Sequence, residues 1–226
     1  MVGFYFYPKL KFILTKGRDD FLPSFSFFYF SAIMKFMIVN YFGQGCFRLQ
    51  SGERSILVDP INNRLKADIV LRTISPVNLA LPLPPNEFAF AGEYDASGIE
   101  IYGFQLEKES TDKFIKTIFL VNWEDMRFVF LGPIASYPEG DFLDDISEPD
   151  VLFIPVSGKP FLKPEDAQKL IKNLEPKIVI PAFVSEEPKE FFKLIGQKPQ
   201  KQEKFVFKKK DIENKSKEII FLEAKL

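Results

Sequence analysis

Ala67-Asp68-Ile69-Val70-Leu71-Arg72-Thr73-Ile74-Ser75-Pro76-Val77-Asn78-Leu79 is the stretch that decides how this chain folds. Residues 67–73 form an apolar run of strand length, as expected where both faces of a strand are covered. The run enters a segment where Pro76, Pro82, Pro84 and Pro85 forbid regular structure across 75–86. Proline fixes φ, donates no backbone hydrogen bond and restricts the residue before it.

The flanking sequence supplies partners for that strand. Upstream, 36–40, 46–50 and 54–59 read as short strands. Ser51-Gly52-Glu53 makes a tight hairpin between the last two, and Asp59-Pro60 ends the third. Downstream, Gly92-Glu93-Tyr94-Asp95 leads into 98–104, whose strict alternation marks a half-buried strand. A hairpin follows, 117–122 and 127–131 around Trp123-Glu124-Asp125-Met126, and Gly132-Pro133 closes it.

A polar link over 137–149 then opens a half that alternates strand and helix. Strands are expected at 151–155 and 178–181, and closing strands at 205–207 and 218–223. One helix starts at Pro164 with Glu165 and Asp166 in its first turn, which suits the helix dipole. Its Ala167, Leu170, Ile171 and Leu174 share one face. A second helix over 188–195 ends at Gly196, a left-handed cap. Lys208-Lys209-Lys210 reads as a solvated turn.

Composition narrows the function classes. Thirty basic against 31 acidic residues leave a net charge of -1, so no basic field points to nucleic acid. The single cysteine, Cys46, excludes an internal disulfide and suits a reducing, cytoplasmic setting. The 226 residues include no histidine, which removes the commonest ligand for zinc and the default general base near neutral pH. Twenty-seven phenylalanines predict a core packed with aromatic rings.

Residues 1–33 differ in character. Lys9, Lys11, Lys16 and Arg18 precede an aromatic run over 21–30. Asp19 and Asp20 interrupt the basic stretch, no small-x-small cleavage site follows, and Lys35 halts the run. It stops short of the roughly 18 apolar residues that span a bilayer. The expectation is an N-terminal extension, disordered or upstream of the true start at Met34, before a domain over 34–226, with no membrane partner.

Seven short motifs, in order, resemble those of metallo-β-lactamase-fold metal-dependent hydrolases, especially the ascorbate-6-phosphate lactonase-like members. Gly43-Gln44-Gly45-Cys46-Phe47 resembles Gly-His-Ser-Cys-Phe, and Ile56-Leu57-Val58-Asp59-Pro60 resembles Ile-Leu-Ile-Asp-Pro. Ala67-Asp68-Ile69-Val70-Leu71 resembles the Ala-Asp-x-Val-Leu before the metal loop, and Gly92-Glu93-Tyr94-Asp95 resembles Gly-Glu-Tyr-Glu. Leu131-Gly132-Pro133, Pro155-Val156-Ser157-Gly158 and 176–183 are similar to Leu-Gly-Asp, Pro-Val-Gly-Gly and a segment ending Ile-Pro-x-His.

The resemblance implies an α/β, four-layer αββα sandwich in a single domain. It also implies a metal site that this sequence lacks. Gln44, Ile74, Pro76, Leu79 and Phe183 stand where the family has histidines, and Asn78 and Pro133 where it has aspartates. Isoleucine, leucine, proline and phenylalanine offer a metal no lone pair, so no metal and no cofactor are expected.

Glu93 and Asp95 as an acid/base pair, or Cys46 as a nucleophile, are the remaining catalytic candidates. Asp59 and Asn78 are further oxygen donors near the same cleft. Asp59 and Asp68 match positions that look structural, and Cys46 reads as a buried, inert thiol. The expected function is a non-catalytic protein that binds a protein partner or a small ligand, with homo-oligomers open. The alternative is a divergent hydrolase built on those carboxylates or on Cys46.

Overall fold

The structure, a computed structural model, describes residues 36–225. The expected boundary at 33/34 and the extension before it lie outside the described residues.

The chain opens with an antiparallel run of β1 (Met37–Tyr41), β2 (Phe47–Ser51) and β3 (Arg54–Val58). Ser51 pairs with Arg54 across a two-residue loop in which Gly52 takes a φ of 59°, the backbone that tight hairpins need. β4 (Ile69–Leu71) then lies parallel to β3. β5 (Ile74–Pro76) crosses to the second sheet, while β6 (Glu87–Phe88) returns to pair with β4.

The second sheet is built from β7 (Gly92–Asp95), β8 (Glu100–Gln105), β9 (Phe114–Trp123) and β10 (Met126–Phe130). Glu124 and Asp125 both have positive φ, 51° and 59°, so the β9–β10 hairpin closes through a primed turn. After the short α1 (Phe142–Asp145) come β11 (Val151–Pro155), α2 (Pro164–Leu174), β12 (Ile178–Ala182) and α3 (Lys189–Ile195). β11 and β12 are parallel and buried along their whole length, as central strands covered on both faces should be. The chain ends with β13 (Lys201–Gln202), β14 (Phe205–Phe207), α4 (Lys209–Ile212), β15 (Glu218–Ile219) and β16 (Phe221–Leu222).

The first sheet has the order β14-β1-β2-β3-β4-β6 and the second β15-β12-β11-β10-β9-β8-β7, with β13 and β16 a separate pair. Their facing sides share one core. Met37, Val39, Phe47, Leu49 and Ile56 meet Ile101, Phe119, Val121, Phe128 and Phe153. A second cluster joins the other side of the second sheet to Ala167, Leu170, Ile171 and Leu174 of α2 and to Phe191 and Phe192 of α3. The helical face read from sequence is therefore the buried one. This is an α/β sandwich, the expected class. Among the described residues no helix is long and apolar enough to cross a membrane.

Several local expectations are corrected. The segment 75–86 is not wholly irregular, because Ile74–Pro76 pairs with Phe114–Lys116 of β9. Thr117 N–H donates to Thr73 O and Val77 N–H to Lys113 O, both at 2.9 Å, and Pro76 is tolerated because β5 is an edge. The strand expected at 67–73 is ordered as a ladder only over Ile69–Leu71. Gly92–Asp95 is a strand rather than a lead-in, and the polar link contains α1. The triple lysine begins α4, where the Asp211 carboxylate accepts from Lys208 N–H at 2.8 Å. The closing strand splits at Ile220, since Glu218–Ile219 pairs with β12 and Phe221–Leu222 with β13.

Candidate functional site

Three consecutive residues before β2 adopt left-handed backbone: Gly43 at φ 87°, Gln44 at 49° and Gly45 at 79°. Glycine accepts this at no steric cost, and Gln44 is carried by its neighbours. Gly45 is fixed by a second constraint. A Cβ there would lie 2.2 Å from Cζ of Phe183, so the ring rests directly on the bare backbone. Phe183 itself is left-handed at φ 56°, uncommon for a bulky residue, just past the end of β12. Its ring also meets Phe161, with centroids 4.8 Å apart. Ser157 Oγ donates to Phe183 O at 3.0 Å. Gln44 and Phe183 positions, distant in sequence, thus meet, and an aromatic ring fills the space between them.

The other candidate positions gather around Thr73. Asp59 accepts from Thr73 N–H at 2.7 Å and from the Thr73 hydroxyl. Gly132 packs so closely on Thr73 that a Cβ would come within 2.5 Å of Oγ1. The strand end that carries Ile74 is therefore fastened both to Asp59 and to the loop that carries Pro133. Burial pushes the Asp59 carboxyl up to about 6, against the opposing pull of the Thr73 hydrogen bonds and the Arg72 charge. Asp68 is held below its ordinary range by hydrogen bonds from the Ser55 hydroxyl and N–H, which ties β3 to the start of β4.

Ile74 and Pro76 turn outward on β5, with Ser75 buried between them. Ile74 pairs across the ladder with Lys116, whose ammonium is only partly exposed. Lys116 Nζ donates to Pro133 O at 2.7 Å and to the Glu109 carboxylate at 2.8 Å. Glu109 in turn accepts from Ala135 N–H, Ser136 N–H at 2.8 Å and Ser136 Oγ at 2.8 Å. Burial opposes ionisation of Glu109, yet these donors hold its pKa below the usual carboxylate range. Asn78 is exposed and Leu79 half-buried in a turn closed by Leu79 N–H to Pro76 O at 3.1 Å.

The catalytic candidates stay apart. Glu93 and Asp95 lie exposed on β7, at the edge of the second sheet. Asp95 Oδ1 accepts from Gly98 N–H at 3.0 Å and so holds the turn to β8. Cys46 is buried immediately before β2 of the first sheet, and burial, with the Asp59 charge adding to it, pushes its thiol up to about 11. A thiol so held is protonated near neutral pH.

Lys116, Glu109 and Phe161 were not singled out by sequence reasoning. The signal available for Lys116 was one charged residue in the apolar run Phe114-Ile115-Lys116-Thr117-Ile118.

Fold and site together define a two-sheet sandwich whose cleft positions are lined by apolar and amide side chains. Residues 38–182 match the beta-lactamase superfamily domain, and the chain belongs to that family. No curated protein matches it. Among solved structures it is similar to a candidate zinc-dependent hydrolase of the metallo-β-lactamase superfamily from Thermotoga maritima. That pair shares 21% identity with a TM-score of 0.66, over 82% of this chain and 98% of the other. A metallo hydrolase from Ignicoccus hospitalis shares 18% identity with a TM-score of 0.60, over 76% and 99% of the two chains. A candidate metal-dependent hydrolase from Parabacteroides distasonis shares 15% with a TM-score of 0.57, over 83% and 93%. At these identities the likeness establishes the fold.

The family implies a metal, and the residues present do not fit one. Ile74, Pro76, Leu79, Pro133 and Phe183 have no side-chain donor atom, and the neutral amides of Gln44 and Asn78 are poor substitutes for imidazole and carboxylate. Among the described residues no three Cys, Asp or Glu side chains come together as a metal would require.

Proposed function

We propose that this chain is a non-catalytic member of the superfamily, acting in the cytoplasm by binding a protein partner or a small ligand. The observation that carries the reading is the Phe183 ring lying on Gly45, at two positions where the resembling family binds metal. A cleft closed by an aromatic ring and flanked by isoleucine and proline excludes the hydrated ion that water activation needs. An altered enzyme would instead show new polar groups converging there, whereas Glu93, Asp95 and Cys46 are dispersed over two sheets. No observation favours the divergent-hydrolase reading.

The test is elemental analysis by mass spectrometry of the full chain purified without a histidine tag, beside thermal-shift titrations with Zn²⁺, Mn²⁺, Mg²⁺ and Ca²⁺. The expected result is far less than one equivalent of metal and an unmoved melting temperature. One bound equivalent with a raised melting temperature would overturn the reading.

A further inference from the structure

A groove beside the proline-rich loop has no part in that reading. It is walled by Leu81, Leu83, Phe88, Phe90 and Tyr94 and has a volume of about 520 Å³. Such a volume lies within the roughly 300–1,000 Å³ usual for small-molecule sites. Phe88 and Tyr94 meet ring to ring with centroids 4.7 Å apart. Leu81 stands at the lip with 70% of its surface exposed. Ile74, Val77 and Phe114 are exposed as well, Phe114 directly opposite Pro76 in the ladder. Apolar exposure concentrated along one stretch of chain marks an interaction site more often than scattered single residues do.

The electrostatics of the walls choose the occupant. Glu87, the one carboxylate on the lining among the described residues, is held by the Arg72 guanidinium. The Tyr94 hydroxyl donates to Phe90 O at 3.1 Å and Ala91 O at 3.2 Å. The groove therefore offers ring faces and aliphatic area, with its charge and its hydroxyl donor already engaged. A charged ligand would lose hydration there and gain no partner. An uncharged one gains on the order of 25 cal/mol for each Å² of apolar surface it removes from water.

We propose that this groove binds an uncharged apolar small molecule, lying on Phe88, Phe90 and Tyr94 beneath Leu81. The site stands apart from the metal question, so elemental analysis tests one claim and ligand titration the other.

The experiment is a fluorescence titration of the full chain with prodan, a neutral naphthalene dye, in roughly 0.05 and roughly 0.5 M NaCl, a range over which the screening length changes severalfold. Saturable one-site binding, equal at both salt levels, is expected. Leu81→Asp should weaken it at least about tenfold, a change of about 1.4 kcal/mol. Its melting temperature should be unchanged, because Leu81 is exposed. Leu81→Met and Tyr94→Phe should bind as the parent does. Absence of saturable binding, equal binding by Leu81→Asp, or strong salt dependence would each overturn the proposal. So would a concentration-dependent dimer, seen by sedimentation, that Leu81→Asp abolishes, because the occupant would then be a second copy of the chain.

Discussion

Gly45 has no room for a side chain and a backbone few side chains accept. Its φ of 79° alone would penalise alanine by roughly 1 kcal/mol. The ring of Phe183, 2.2 Å from where a Cβ would be, adds a clash that only a shift of ring or backbone can relieve. Gly45→Ala should therefore lower stability by about 3 kcal/mol, a sum of strain and overpacking. In a Phe183→Ala background the clash vanishes and only the backbone part remains, so the same change should cost about 1 kcal/mol there. Urea denaturation of the four proteins of this cycle reads both numbers. Equal costs in the two backgrounds would show that Phe183 does not rest on Gly45.

At the scale of elements, the pair Lys116–Glu109 braces the β5–β9 ribbon against the loop after β10. One ammonium reaches Pro133 O, and one carboxylate collects Ala135 and Ser136. The side chains are 18% and 10% exposed, so water screens the pair far less than it would a surface pair. Glu109→Gln should cost about 2 kcal/mol and speed amide exchange at Ala135 and Ser136. Lys116→Met in that background should cost much less than it does alone, because a buried ammonium would no longer lack its partner. Additive losses would mean that the two side chains act separately. None of this was legible in the sequence, because Glu109 meets Ala135 and Ser136 only once β9 and β10 have formed. β5 escaped for a related reason: three residues ending in proline carry no propensity signal, and the edge of β9 alone organises them. α2 was legible because its proline start and its apolar stripe are local. Within the site, the loss of donor side chains could be read directly from the chain. That Phe183 covers Gly45 could not, since two left-handed residues on different sheets meet only in the folded molecule.

For the molecule as a whole, pH should expose how the cleft is held. Asp59 is buried against Thr73, and its folded-state pKa of about 6 lies above the 3.8 of an ordinary aspartate. The folded chain thus holds this proton more tightly than the unfolded chain does. The stabilisation from the protonated form is complete below about 3.8, fades as pH rises, and is gone above about 6. Integrated over that window, the loss is on the order of 3 kcal/mol. Asp68 and Glu109 act in the opposite direction. Their pKa values are lowered by folding, so they stabilise at higher pH, and that contribution is lost as pH falls through their folded values. Wild-type stability alone therefore mixes the two trends. The difference between wild type and Asp59→Asn isolates one of them, because asparagine keeps a side-chain acceptor for Thr73 and tolerates the φ of 45° found there. Relative to wild type, the Asp59→Asn variant should gain stability steadily from about pH 4 to about pH 6, by an amount on the order of 3 kcal/mol, and level off above that. Urea midpoints measured across the range for both proteins decide it. A flat difference would mean that Asp59 titrates normally, and that the strand end at Thr73 is fastened to an ionised, hydrated carboxylate instead of a buried one.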